Sequence, residues 1–496
     1  MQIIANPDQF LQDSPFKEFL GISYEDPQAF ELARSQLRGR SFPRSELTAI
    51  LGDYNRGIGN DGLAMQQIER LASSETQCVV TGQQLGFMGG PSYTILKGIS
   101  CLSAAKAANA VPIFWLATED HDIAEIDHTY LLDPLGNLQR FHLGFPHDGR
   151  CVEDLKMSPK NNDVLQRFFQ TLGLAPLELS KENFSYSTLM ASLLVQLFAG
   201  TGMVFLEPRL LRPLSIAFFK REVEERDRIQ DVLKETTMRL ELSGGSAILR
   251  VGEGTNLFFK QPPEGFRRKL LSNGDGLIVG MTHYKQQEIL ALIENHPEYF
   301  STNAAARAVL QNLLLPTVAY IAGPTEMAYH CQLRDYHHFH GIEMPCLIPR
   351  LSASFIPPFA ADLLEKCGLQ PWHRIPQHWP DLMPSLRKGE EGIEAEWFHS
   401  TVTHFEKEIP CDMLARYVKQ AARKLMHKIS RRRLRQKGLP GYGLHFLRNL
   451  LHPHDKLQER VLNWWNFQAY SHENLIVESL KHLSWKPEGH QYIYFS

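Results

Sequence analysis

Residues 78–128 read CVVTGQQLGFMGGPSYTILKGISCLSAAKAANAVPIFWLATEDHDIAEIDH. A short apolar run, Cys78–Val80, enters a glycine-rich turn. A helical pattern follows over Tyr93–Asn109, and a second apolar run, Val111–Ala117, ends in Glu119-Asp120-His121-Asp122. Strand, turn, helix and strand in that order predict a parallel β–α–β unit. In open α/β sheets, ligands bind beyond the carboxyl ends of the strands. The stretch therefore predicts an α/β fold and puts polar chemistry at two strand ends.

Outward from this unit, Met203–Glu207, Val318–Ala322 and Met344–Pro349 are further apolar runs of strand length. Helical patterns such as Glu326–Asp335 lie among them, which predicts a mainly parallel sheet. The strand spacing is uneven. It predicts a core over residues 1–360 with insertions at about 128–200 and 220–315. The first insertion carries a hairpin signal at Leu131–Leu138. The second carries a charged helix, Lys220–Arg239, and a β-like stretch, Ala247–Lys260. Two independent α+β domains would also fit this spacing. Residues 361–460 are rich in helix formers, and Glu406–Arg435 is amphipathic and stops before Gly438 and Pro440. They predict a helical arm, with the tail 461–496 returning to the core through Tyr492–Phe495.

A formal net charge of -3 over 496 residues gives no argument for nucleic acid or a membrane surface. Seven dispersed cysteines without a CxxC pair predict reduced thiols and a cytoplasmic protein. Met1–Phe10 has no signal-peptide pattern, and Leu313–Gly323 is too short to span a bilayer.

Thr81, Gly82, Gln83 and Gln84, with Gly89 and Gly90, form a turn that could bring backbone N–H groups up to an anion. It is neither a Walker A loop nor the dinucleotide fingerprint. A tight turn requiring positive φ is the equal alternative. Tyr93 and Lys97 lie four apart and share a helix face beside it. Glu119, Asp120, His121 and Asp122 are costly to bury unless they are paired or bind something, and such groups supply bases or metal ligands. Gly323, Pro324 and Glu326 repeat the pattern at a later strand end, where Glu326 could be a helix-start residue or, with His330, a chelating pair.

Together these motifs resemble one family, the bacillithiol biosynthesis cysteine-adding enzyme BshC. The matching stretches are VVTGQQLGFMGGPSYTILKGIS, VPIFWLATEDHDIAEIDH, LPTVAYIAGPTEMAYHCQL, MPCLIPRLS and LQERVLNWWNF, in the family's order. Weaker likeness covers Asn256–Phe259 with Arg267, and Phe300–Asn303 with Arg307 and Gln311. The resemblance implies a Rossmann-like core with two connecting-peptide insertions and a coiled-coil arm that forms a homodimer. It implies a ligase that joins L-cysteine to the amine of glucosaminyl-malate, with ATP, and Mg beside it, activating the cysteine carboxylate. No tightly bound metal is implied. The chain departs from the family at Thr325, where a small residue is usual, and at Thr302, where proline is usual. Its arm is short around residues 380–400, and it has no HxGH signature.

On this reading the glycine turn, with Glu119, Asp120, Gly323 and Pro324, would hold the substrate. His121 or Asp122 would be the base, Glu326 would orient the amine, and Lys97 or Arg350 would stabilise developing negative charge. A metal-dependent hydrolase using His121, Asp122 and His128, and a non-catalytic binding scaffold, are the alternatives from other classes.

Overall fold

The computed structural model describes residues 2–6, 19–174, 185–252, 254–262, 265–274, 276–375, 438–486 and 489–495, with scattered helical positions between 400 and 428. Five strands build the central sheet: β1 (Cys78–Gln83), β2 (Val111–Leu116), β3 (Val204–Leu206), β4 (Thr317–Ala322) and β5 (Cys346–Pro349). Their order is β3-β2-β1-β4-β5, and every neighbouring pair is parallel. This is the 3-2-1-4-5 order of doubly wound folds. The winding reverses between β1 and β4, so a crevice opens where their carboxyl ends diverge.

The strands are apolar along nearly their whole length because both faces of the sheet are covered. Alternate side chains feed two cores, as the twofold period of a strand requires. Val79, Phe114 and Leu116 join one core, with the helices Tyr93–Ala107, Tyr186–Leu197 and Leu475–His482. Val80, Ile113 and Trp115 join the other, with Arg44–Gly57 and Ala304–Leu314. Gly98 lets the Tyr93–Ala107 helix sit against Phe198: a Cβ there would lie 2.3 Å from the ring.

Several elements differ from the sequence expectation. The Glu326–Asp335 pattern is two helices, Pro324–His330 and Arg334–Phe339. Lys220–Arg239 is likewise divided at Glu225, between Ile216–Glu224 and Arg226–Leu242. Among the described residues of the β-like stretch Ala247–Lys260, only the end from Leu257 is a strand, paired with Phe266–Lys269 and Phe300–Thr302. The N–H groups of Ile248 and Leu249 instead donate to the Gln332 amide oxygen, at 2.9 and 2.8 Å, so they need no ladder. The hairpin signal is His128–Leu132 paired with Leu138–His142.

The tail strand His490–Tyr494 lies between Ser352–Ile356 and Gln2–Asn6, in a separate three-stranded sheet. Of the arm helix expected over Glu406–Arg435, only Tyr417, Gln420, Ala421, Lys424 and Lys428 are described, as helical positions; the rest of it, and the short stretch at 380–399, lie outside the described residues. The described cysteines are buried and unbridged. No helix among the described residues is long and apolar enough to cross a membrane.

Candidate active site

A cavity of about 520 Å³ opens at the switch point between β1 and β4, where this sheet order predicts one. Its walls come from the ends of β1, β2, β4 and β5, from Phe258, Arg267, Thr302 and Asn303 of the insertion, and from Arg460.

The inner wall is built around Glu326. Helix Tyr93–Ala107 carries Lys97 into the interior, where the side chain is almost fully buried. Its ammonium donates to the Gly82 carbonyl at 2.7 Å, to Gln83 Oε1 at 2.9 Å and to the Glu326 carboxylate. Glu326 also accepts the Gly323 N–H and the Tyr320 hydroxyl, each at 2.8 Å. Arg307 lies 3.8 Å from the same carboxylate and donates to the hydroxyls of Tyr320 and Tyr329, at 3.1 and 2.7 Å. Burial alone would raise the Glu326 carboxyl, but Lys97 and Arg307 outweigh it and hold it down at about 2. Glu326 is thus a fixed anion at neutral pH. Beside it Arg350 donates to the buried Glu459 at 2.6 Å, with its guanidinium 5.5 Å from the Tyr93 ring centre.

The facing wall is built around Arg267. Its Nε donates to Ser301 and its NH2 group to the Thr302 carbonyl. Its NH1 group reaches Asp120 at 3.1 Å and His121 Nδ1 at 2.9 Å. A guanidinium can only donate, so Nδ1 of His121 accepts and the imidazole proton sits on Nε2. Asp120 also accepts from Gln84 at 2.5 Å. Burial would raise its carboxyl, but its hydrogen bonds, the backbone N–H of His121 among them, and the Arg267 charge hold it well below the ordinary range. Glu119 is buried, which raises its carboxyl despite the nearby arginines, and it accepts the Thr302 hydroxyl at 2.8 Å. A proline at 302 would have no such hydroxyl to give.

Most of the expected residues converge. Gly82, Gln83, Gln84, Tyr93, Lys97, Glu119, Asp120, His121, Gly323, Pro324, Glu326 and Arg350 all line the cavity. Thr81, Gly89, Gly90 and Asp122 do not. Thr81 is buried in the sheet, and its hydroxyl donates to the Ile321 carbonyl at 3.1 Å, tying β1 to β4. Gly89 and Gly90 have φ of +87° and +67°. They turn the buried chain, Gly89 against Leu194 and Ile95 and Gly90 against Gly86 and Thr94, and their N–H groups donate to Gly86 and Phe87, so the glycines serve packing and present no N–H cradle to the cavity. The Asn463 amide caps this turn by donating to the Met88 and Gly90 carbonyls, at 3.1 and 3.0 Å. Asp122 is exposed, outside the lining. Thr325 is exposed at the mouth, while close packing falls on Gly323, where a Cβ would lie 3.4 Å from Glu326.

His121, Asp122 and His128 do not gather as a ligand set. Among the described residues only Cys151, Glu153 and Asp154 come close enough to share an ion, and Glu153 is already paired with Arg212 and Lys260.

Reading the motifs by their local chemistry misses Arg267, Arg307, Glu125 and Arg460. The two buried arginines are marked only by the weaker family likeness. Glu125 and Arg460 are both exposed at the cavity, and neither side chain has a hydrogen-bond or ion-pair partner among the described residues.

A family model described as Bacillithiol biosynthesis BshC, N-terminal Rossmann-like domain, matches residues 7–351. The chain belongs to the BshC family. A relative from Heliobacterium modesticaldum is 33% identical over 70% of this chain and 69% of its own length. One from Bacillus cytotoxicus is 32% identical over 64% and 63%, and one from Chloroherpeton thalassium 32% over 71% and 67%. This chain thus aligns with about two thirds of each relative. All three carry the name "Putative cysteine ligase BshC". The BshC match spans all five strands of the central sheet, so it covers the whole crevice except Arg460.

Proposed function

We propose that this BshC chain is the cysteine ligase that forms an amide between L-cysteine and the amine of glucosaminyl-malate. The observation that carries the reading is the charge pattern of the crevice. Its buried cations Lys97, Arg267, Arg307 and Arg350 are matched by Glu326, Asp120 and Glu459. One carboxylate, Glu125, and one guanidinium, Arg460, are left exposed for a ligand. An amine bearing carboxylates complements that pair. Arg460 would take an anionic group of the acceptor, because a guanidinium matches a carboxylate with two parallel N–H bonds. Lys97 and Arg350 set a positive potential at the inner wall, where negative charge develops on the attacked carbonyl.

A free carboxylate does not acylate an amine, since oxide is a poor leaving group. ATP would supply the activation by converting the cysteine carboxylate into a mixed anhydride with phosphoric acid. The buried Gly86–Gly90 turn offers that nucleotide no cradle, so this reading leaves the phosphates to the open side of the cavity. The test is mass-spectrometric detection of the ligated product from cysteine, glucosaminyl-malate and purified protein, with ATP omitted in one arm. Product that appears only with ATP supports the reading. No product in either arm overturns it, and product without ATP overturns the activation step.

A further inference from the structure

We infer that Glu125 is the general base that frees the amine for attack, an assignment that rests on the ligase reading above. The cavity offers several candidate proton acceptors, and the geometry commits the others elsewhere. Glu326 is held by Lys97, Tyr320, the Gly323 N–H and Arg307. Asp120 is held by Arg267, Gln84 and the His121 N–H at 2.7 Å. Glu119 is buried against Thr302. Asp122 is exposed outside the lining. His121 spends its free lone pair on Arg267, so its other nitrogen carries the proton and can only donate.

Glu125 remains. It lines the cavity and is exposed there, and its carboxylate has no hydrogen-bond or ion-pair partner among the described residues. It stands on the short helix Ile123–Ile126, whose two end isoleucines are buried in the core. A firm backbone therefore presents a free carboxylate, the arrangement a general base needs. The titratable and charged groups that face it are Asp122 and Asp120 from its own loop, and Lys97 and Tyr93 from helix Tyr93–Ala107. Partial burial raises its carboxyl from the ordinary value, the two aspartates add to the rise, and Lys97 opposes it. A base raised in this way is a better match for an ammonium proton.

In the proposed step the acceptor's ammonium gives one proton to the Glu125 carboxylate, which frees the nitrogen lone pair. That pair attacks the carbonyl carbon of the cysteinyl mixed anhydride. The C–N bond forms, the bond from carbon to the phosphoryl oxygen breaks, and the phosphate leaves with the bonding electrons. The second nitrogen proton passes to the departing phosphate, which gives a neutral amide. Nothing is oxidised or reduced.

The experiment compares full-length wild type, Glu125→Gln and Glu125→Asp in the ligation assay with cysteine, glucosaminyl-malate and ATP, across neutral to alkaline pH. A wild type that forms no product overturns the ligase reading, and the inference falls with it. With an active wild type, E125Q is expected to lose about 10²–10⁴-fold in kcat with little change in the KM for the amine. The loss should shrink as pH rises, because the free amine then deprotonates in solution without help. E125D keeps a carboxylate and should recover part of the rate, which keeps the test decisive if the glutamine variant proves unstable. E125Q turnover within about twofold of wild type would overturn the assignment. So would a loss confined to KM, a loss that does not vary with pH, or an E125D as inactive as E125Q in a folded protein.

Discussion

Lys97, Arg307 and Arg350 lie on the inner wall of the cavity with their charge matched by Glu326 or Glu459, whereas Glu125 and Arg460 stand at the mouth with no described partner. Both regions are strongly charged, but the charge does different work. A buried ion loses its hydration and survives only if its neighbours replace it, so the inner wall must be internally complete. An ion at the mouth keeps its water and can exchange it for a ligand. The inner pairs therefore set shape and field, and the outer charges are the ones left to meet substrate.

Removing one inner partner should break this difference most visibly. Glu326→Ala strands Lys97 and Arg307 and is expected to cost about 3–5 kcal/mol of stability by urea unfolding. A cost below about 1 kcal/mol would mean that the inner wall is no more committed than the mouth.

Acid should strip the interior next. Burial holds His330 down to about 3, and His337 and His490 to about 4. In the unfolded chain these imidazoles take up protons near 6.5. Below that value the unfolded state binds more protons than the fold, so stability is full above about pH 6.5 and falls as pH drops toward about 4, by on the order of 3 kcal/mol for each imidazole. Glu326 acts in the same sense at lower pH: its contribution is present above the ordinary carboxylate value and is lost as pH falls toward about 2. His330 stacks on Tyr329, and neither ring nitrogen has a hydrogen-bond partner among the described residues. His330→Phe should therefore flatten the melting temperature against pH, and an unchanged slope would remove His330 from this account.

Asn463→Ala takes the cap from the glycine turn and is expected to cost about 1–3 kcal/mol in the same unfolding assay. Arg460→Ala should leave stability within about 0.5 kcal/mol. It should raise the KM for the carboxylate-bearing amine about tenfold, measured in the ligation assay. If Arg460→Ala unfolds the protein instead, the distinction between wall and mouth fails at that residue.

The strands were legible because a parallel sheet buried on both faces writes nearly unbroken apolar runs, as at Val111–Leu116. The polar strand ends were legible for the same reason: charge cannot continue into the core. Arg267 and Arg307 were not legible from local pattern, because they reach the site from separate elements between β3 and β4. The glycine turn misled because glycine answers two needs alike, a close anion or a close turn, and only the left-handed Gly89, packed under Leu194, and Gly90, packed on Gly86, tell them apart. Glu125 was hidden beside the denser Glu119–Asp122 cluster. What separates it is that its neighbours leave it unpaired, and that is a property of three-dimensional neighbours rather than of spacing.

Asn463 reaches Met88 and Gly90 across more than 370 positions of chain, and Glu459 clamps Arg350 from the same segment. A ribosome releases the β1 turn long before it releases that segment. Until that segment has emerged, the nascent crevice lacks the exposed Arg460 guanidinium and the buried Arg350 lacks its Glu459 counter-ion. The crevice is therefore synthesised with an unquenched charge at Arg350, and it is completed only when the segment carrying Glu459 and Arg460 follows.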